Sequence, residues 1–287
     1  MQYFKPGDIV VRKSYGGDIF FKIKEIRQET GEALLAGMDV RLLVDAPLTD
    51  LEKKDATEIF LYRHQCIQKH SKCLRSVYAR REMERKKSGL YRNLDGGENE
   101  YFEVPGKVLH LDGDEEYLEK CMSAYRQLDI PAYGFNIPEK EQPDKVVELV
   151  KEYNPDILVL TGHDSLKKGT RDFSSLDNYR SSKYFIEGVK KVRRLVPGRD
   201  DLVIFAGACQ SHYEGILAAG ANFASSPRRV LIHAYDPVYL VEKLAYTSIN
   251  ESVSIKDIIG TTITGIEGVG GIETKGRYRL GYPKSPY

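Results

Sequence analysis

The chain has no tryptophan, only four cysteines in 287 residues, and a formal charge of only +1. Each shortage excludes something. Cys66, Cys73, Cys121 and Cys209 are too few and too scattered for a disulfide framework in a chain of this size, so a reducing compartment is expected. The near-neutral charge argues against bulk affinity for nucleic acid. No apolar run approaches the roughly 20 residues that a membrane span needs. Met1 is followed by Phe4, Lys5, Pro6 and Gly7 rather than by the apolar stretch of a signal peptide. The expectation is a cytoplasmic protein with neither a membrane nor a nucleic-acid partner. The tail GTTITGIEGVGGIETKGRYRLGYP is rich in Gly and Thr but lacks the Gly-x-Gly-x-x-Gly and Walker spacings in the right context, and reads as a hairpin or flap near the active-site edge. His64, Cys66, His70 and Cys73 lack the close Cys-x-x-Cys pair of a zinc site, so neither metal nor cofactor is expected.

What is present is 41% hydrophobic and 30% charged residues, enough for one sizeable core and a small extra domain. Four regions are expected. In residues 1–50, FKPGDIVVRKSYGGDIFFKIKEI alternates apolar and polar residues around the turn Tyr15-Gly16-Gly17-Asp18, with further strands at Ala33–Leu35 and Val40–Val44. This predicts a small SH3-like β-barrel. Residues 51–103 read as a basic helical linker ending in the turn-rich NLDGGENE; Arg63 to Arg92 holds ten Lys and Arg against Glu82 and Glu84. Residues 104–250 carry the strand-like runs KVLHLDG, AYGFNIP, DILVLTG, DLVIFAG and RVLIHAYDP, separated by helical stretches. That alternation predicts an α/β fold, a parallel sheet flanked by helices, caspase-like or flavodoxin-like. Residues 251–287 form a Gly-rich C-terminal extension.

Two of these runs end on residues that carry chemistry. DILVLTGHDS delivers His163, and DLVIFAGACQS delivers Cys209 46 positions later. A thiol is a strong nucleophile only as thiolate, and a nearby imidazole can take its proton and later protonate the leaving amine. Alone, Cys209 reads as a buried small hydrophobe and His163 as a loop residue. Together, at the carboxyl ends of neighbouring strands where ligands of such sheets bind, they read as nucleophile and general acid/base. Gly162 and Gly207 leave backbone N–H groups accessible, and those of Cys209 and the Gly162–Asp164 turn are the candidate oxyanion donors. His212 and Glu214 lie close after Cys209 but on a helix leading away from it, and His233 ends a later run.

The stretch Ala208-Cys209-Gln210, with a histidine at an earlier strand end, resembles the caspase-like (clan CD) cysteine proteases, whose caspase signature is Gln-Ala-Cys-[Arg/Gln/Gly]-Gly. Gly207, Ser211 and Asp164 depart from the clan pattern. Over nearly its whole length the chain also resembles the YabG family of sporulation-specific proteases. The opening FKPGDIVVRKSYGGDIFFKI and the blocks TGHDS, FAGACQSHYEGILAAGANFASSP and RVLIHAYDPV carry that resemblance. It implies a cysteine endopeptidase acting in the mother cell and on the spore coat, with coat proteins as substrates and cleavage after Arg. A buried guanidinium needs a carboxylate partner. Some Arg-specific clan members place that acid two residues before the nucleophile, where this chain has Gly207. Asp164, Asp172, Asp177, Glu214 and Asp236 are the candidates for it. Self-cleavage within the basic segment Arg75–Arg92 is a further expectation. Two alternatives stay open: a Cys-dependent glutaminase or amidohydrolase, since Gly207–Ser211 comes within one residue of a Gly-x-Cys-x-Gly elbow, and a non-catalytic spore coat scaffold.

Overall fold

The computed structural model describes residues 3–92, 101–167, 169–170 and 172–285; the turn-rich segment 93–100 lies outside them. The first five strands are β1 (Ile9–Arg12), β2 (Phe20–Arg27), β3 (Glu32–Gly37), β4 (Leu43–Pro47) and β5 (Leu51–Lys53), joined in the antiparallel order β4-β3-β2-β1-β5. Their alternating residues Val10, Phe21, Ile23, Ala33, Leu35 and Ala46 form one buried face. The helix α1 (Ala56–Arg92) follows. It is not merely a spacer, because Leu74 and Val77 pack into the main core and Arg80 and Arg81 pair with the buried Glu242.

The rest of the chain alternates strand and helix: β6 (Phe102–Val104), β7 (Val108–Asp112), α2 (Glu115–Gln127), β8 (Ala132–Asn136), α3 (Gln142–Tyr153), β9 (Ile157–Thr161), α4 (Ser182–Leu195), β10 (Val203–Ala206), α5 (Tyr213–Ala218), β11 (Phe223–Ser225), α6 (Asp236–Tyr246), β12 (Ser252–Val253), α7 (Ile255–Ile259), β13 (Val269–Gly271), β14 (Thr274–Lys275) and β15 (Arg279–Gly281). Six strands form the central sheet in the order β13-β11-β10-β9-β7-β8, all parallel except the edge strand β13. The first five run in the 2-1-3-4-5 order of a doubly wound sheet, whose direction of winding reverses between β7 and β9.

Strands covered on both faces read as continuous apolar runs, and β7, β9 and β10 are buried at every position. Their residues divide by alternation. Val108, Ile157, Val159, Val203 and Phe205 face α1, α2 and α6, whereas Leu109, Leu158, Leu160 and Ile204 face α3 and α4. Local signals set the helix starts: the Asp114 side chain accepts from the Tyr117 N–H to cap α2, and Pro143 and Pro237 sit in the first turns of α3 and α6.

Two expectations need correction. RVLIHAYDP is not the fifth parallel strand; β11, from the small-residue run ANFASS, takes that place. The apolar Val230, Leu231 and Ile232 instead pack against the core of the N-terminal sheet. Nor is Val40–Val44 one strand. Leu43 and Val44 belong to β4, while Val40 and Leu42 lie in the loop between β3 and β4 and form single bridges to His233 and Asp164. The tail supplies β13 to the central sheet rather than a free flap.

Candidate active site

The site lies at the carboxyl ends of β7, β9 and β10, at the point where the winding reverses. Leu160 of β9 stands opposite Ala206 of β10, so the turns bearing His163 and Cys209 leave the sheet side by side. The chain turns sharply after β10. Gly207 has φ +112, a conformation open to glycine, and Gln210 is left-handed with φ +55. A Cβ at Gly207 would crowd Ser225, Ile216 and Ser211 at 3.1–3.3 Å.

Asp164 holds this elbow in place. It is wholly buried and accepts from the Ser211 hydroxyl (2.9 Å), the Ser181 N–H (2.8 Å), the Ser165 N–H (2.9 Å) and the Ser182 hydroxyl. Ser211 Oγ accepts in turn from the Ala208 N–H at 2.9 Å, and Ser182 Oγ from the His212 N–H at 2.7 Å. Burial raises the Asp164 carboxyl to about 6 although all four donors oppose it, because none of them carries a charge.

Cys209 is fully buried. Its Sγ accepts from the Ile232 N–H at 3.1 Å and faces the Ile232 carbonyl at 3.7 Å, so the thiol is turned toward Ile232 rather than His163. Burial pushes the thiol pKa well up, and the Ile232 N–H and the Arg41 charge only partly offset that. The Cys209 N–H donates to the Arg41 carbonyl at 3.3 Å. His163 is also nearly buried; its backbone N–H donates to Glu139 Oε1 at 2.6 Å, and its ring packs 5.3 Å from Tyr117. Nε2 stands 3.6 Å from Asp114 Oδ2 and Nδ1 3.5 Å from Glu139 Oε1. Nε2 has no hydrogen-bond partner among the described residues. A buried imidazole nitrogen left unpaired is costly, and it is available to a group entering the site.

The other expected carboxylates lie elsewhere. Asp236 is wholly buried and accepts from the Ile263, Thr264 and His233 N–H groups, binding two loops together. Asp172 and Asp177 are on an exposed loop, and Asp172 caps Ser174. Glu214 is exposed and pairs with Arg229. His212 Nδ1 accepts from the Gly215 N–H as the cap of α5. Burial lowers His233 to about 4, and its Nδ1 accepts from the Tyr235 N–H. Among the described residues, no group of three or more His, Cys, Asp or Glu could hold a metal ion, and no helix is long and apolar enough to cross a membrane.

A carboxylate that does stand at a strand end, and that the sequence reading passed over, is Asp112, the last residue of β7, linked to the Cys209 turn through Arg41. It is wholly buried and accepts from Arg41 Nη1 at 2.6 Å, the Thr161 hydroxyl at 2.9 Å and the Asp114 N–H at 3.0 Å. Burial alone would raise its carboxyl, but the Arg41 guanidinium and His110 outweigh it and hold the group well below the usual carboxylate range. The available signal was the one that marked His163 and Cys209: Asp112 closes the apolar run KVLHLD.

The doubly wound α/β sheet sets a histidine and a cysteine just beyond adjacent strand ends, and comparison with known proteins places the chain among peptidases. The family model described as YabG peptidase U57 matches residues 5–283, and the chain belongs to that family. The sporulation-specific protease YabG of Bacillus subtilis (strain 168) is 42% identical over 284 residues, spanning 98% of this chain and 98% of that protein. Among solved structures, the isolated REC domain of RcsB from Salmonella enterica serovar Typhimurium covers 41% of this chain and 74% of its own, at 13% identity and a TM-score of 0.27, a likeness too slight to bear on fold or function.

Proposed function

We propose that this chain is a cysteine endopeptidase of sporulation, caspase-like in its chemistry, with Cys209 as nucleophile and His163 as general acid/base. The observation that carries the reading is that both residues follow the carboxyl ends of adjacent parallel strands, His163 after β9, which borders the winding reversal, and Cys209 after β10. Cys209 Sγ attacks the scissile carbonyl after His163 takes its proton. The tetrahedral oxyanion is held by backbone N–H groups of Cys209 and the Gly162–Asp164 turn, His163 protonates the departing amine, and water then hydrolyses the thioester. The His163 Nε2, without a hydrogen-bond partner among the described residues, suits the base. No cofactor enters these steps.

The protein context follows from family membership: the named relative is a sporulation-specific protease. We extend this to spore coat proteins as substrates, cleavage after Arg, and action in the mother cell and at the coat. Residues 1–50 then serve as a small SH3-like β-barrel module. Self-cleavage within Arg75–Arg92 belongs to the same proposal and needs local unfolding, because α1 is helical there and Arg80 and Arg81 are paired.

The test is cleavage of peptides differing at the residue before the scissile bond, followed by mass spectrometry, with wild type, Cys209→Ala, His163→Ala and His233→Ala. Loss of turnover by about 10⁴-fold or more in the first two variants alone is expected. Loss in His233→Ala with retention in His163→Ala would transfer the base to His233 and favour the amidohydrolase reading.

A further inference from the structure

Residues 38–42 form the loop joining β3 to β4; the Gly37 N–H donates to the Leu42 carbonyl at 2.9 Å and the Leu42 N–H to the Val40 carbonyl at 2.7 Å, so the chain turns tightly at Arg41 as it crosses the site. The Asp39 carbonyl accepts from the Ala234 N–H at 2.8 Å, and the Arg41 N–H donates to the Ile232 carbonyl at 3.0 Å. Val40 bridges His233 in the antiparallel sense between them. These bonds tie the loop to the irregular segment Ile232–Ala234 along its backbone. Side chains hold it as well: Lys120 Nζ donates to the Met38 carbonyl at 2.7 Å, and the Tyr117 hydroxyl to the Val40 carbonyl at 2.8 Å.

Three features coincide at Arg41. Its N–H is held by the Ile232 carbonyl, its own carbonyl receives the N–H of the proposed nucleophile, and its side chain enters a closed pocket. In that pocket Nη1 donates to Asp112 and Nη2 to the Ala234 carbonyl at 3.0 Å and to Cys121 Sγ at 3.4 Å. A peptidase requires the same three things of the residue before a scissile bond. On either side of Arg41 the surface stays open, with a cavity of about 520 Å³ bordered by Asp39, Asp114 and Tyr117, and another of about 340 Å³ bordered by Leu42, Ser165 and Gln210. The cleft is thus filled at its centre by the chain itself and empty at both ends.

We infer that Asp112 is the acid that selects an arginine side chain before the cleaved bond, and that Asp39–Val40–Arg41 is a resident pseudo-substrate occupying that cleft and blocking Cys209. The inference rests on the cysteine-peptidase reading above. It explains why none of Asp164, Asp172, Asp177, Glu214 and Asp236 faces the nucleophile as a free carboxylate. The resident stays uncut in this arrangement because the thiol is bonded to Ile232. A substrate gains entry when the 38–42 loop lifts off Ile232–Ala234 and withdraws Arg41.

The experiment uses the full-length protein and two peptidyl acyloxymethyl ketones, one presenting Arg and the other norleucine at the position before the reactive carbon. Such a reagent loses its carboxylate as the Cys209 thiolate forms a thioether, so peptide mapping reads the rate of labelling. Wild type, Arg41→Ala, Arg41→Gln, Arg41→Ala/Asp112→Asn and Cys209→Ala are compared, with circular dichroism to establish folding. Arg41→Gln leaves Asp112 a hydrogen-bond donor and serves if the alanine variant does not fold. Labelling of Cys209 by the arginyl reagent should rise about 10-fold or more when Arg41 is replaced. The Arg41 variants should prefer arginyl to norleucyl reagent by about 100-fold, and the added Asp112→Asn should abolish most of that preference. Equal labelling of wild type and the Arg41 variants would overturn the resident pseudo-substrate. Equal labelling by both reagents with Asp112 intact would overturn the pocket assignment while leaving Cys209 as nucleophile. A folded Arg41 variant that neither reagent labels at Cys209 would overturn the cysteine-peptidase reading itself.

Discussion

The carboxyl end of β7 and the turn after β9 each bury a carboxylate completely, and the two environments drive those carboxylates in opposite directions. Asp112 meets the guanidinium of Arg41 and is held ionised, well below its usual range. Asp164 meets two hydroxyls and two backbone N–H groups and is raised to about 6. Both accept several hydrogen bonds, so their number does not separate the two. What separates them is a full opposing charge inside the low-dielectric interior, where it is screened little. One strand end is therefore built to hold a cation, and the other to hold a loop.

The largest test of this contrast removes the charge from one side only. Asp112→Ala leaves the Arg41 guanidinium buried without its partner and should lower stability by about 3–5 kcal/mol, whereas Arg41→Met/Asp112→Leu should cost far less or even stabilise. Urea unfolding midpoints of the two variants would show this, and equal losses would mean that the pair is screened by water.

Next in size is the pH dependence, in which the two groups have opposite signs. The folded pKa of Asp112 lies below the ordinary value of 3.8, so its contribution is present above about pH 4 and is lost as pH falls. The folded pKa of Asp164, about 6, lies above 3.8, so its contribution is present below about pH 4 and is lost as pH rises through 6, by on the order of 3 kcal/mol. Asp164→Asn should flatten the decline between pH 4 and 6, seen in unfolding free energies measured across that range. A decline of unchanged depth would place the raised group elsewhere, with buried Asp236, also raised by burial, the first to examine.

The smallest expected effect sharpens the role of the neutral donors. Ser211→Ala removes one donor to Asp164 and leaves the Ala208 N–H without its acceptor, which should cost about 1–2 kcal/mol. It should also slow peptide cleavage, because the Cys209 elbow is held through that hydroxyl. Thermal melts and initial rates on one substrate would separate the two, and a variant with the stability loss but full activity would limit Ser211 to a structural part.

The legible portions of the molecule were those where a local pattern and the tertiary environment agree. KVLHLDG, DILVLTG and DLVIFAG became β7, β9 and β10 because strands buried on both faces need uninterrupted apolar residues. RVLIHAYDP misled for the same reason in reverse: Ile232 is buried, and Val230 and Leu231 half-buried, against the N-terminal sheet without joining a ladder, and an apolar run does not say which surface covers it. Asp112 was hidden because a lone carboxylate in an apolar run looks like a strand terminus until its cation is located.

The sequence by itself determined β7, β9 and β10 and the helices between them, the turns that bring His163 and Cys209 out at strand ends, and the small residues that let the chain bend there. These depend on neighbours within a few positions, through periodicity, glycine conformation and capping. Tertiary structure alone decided that Arg41 reaches Asp112, 71 positions away, and that its carbonyl meets the Cys209 N–H. Long-range pairing between buried charges leaves no local periodicity in the chain, because its favourable energy arises only once both groups have left water and face each other.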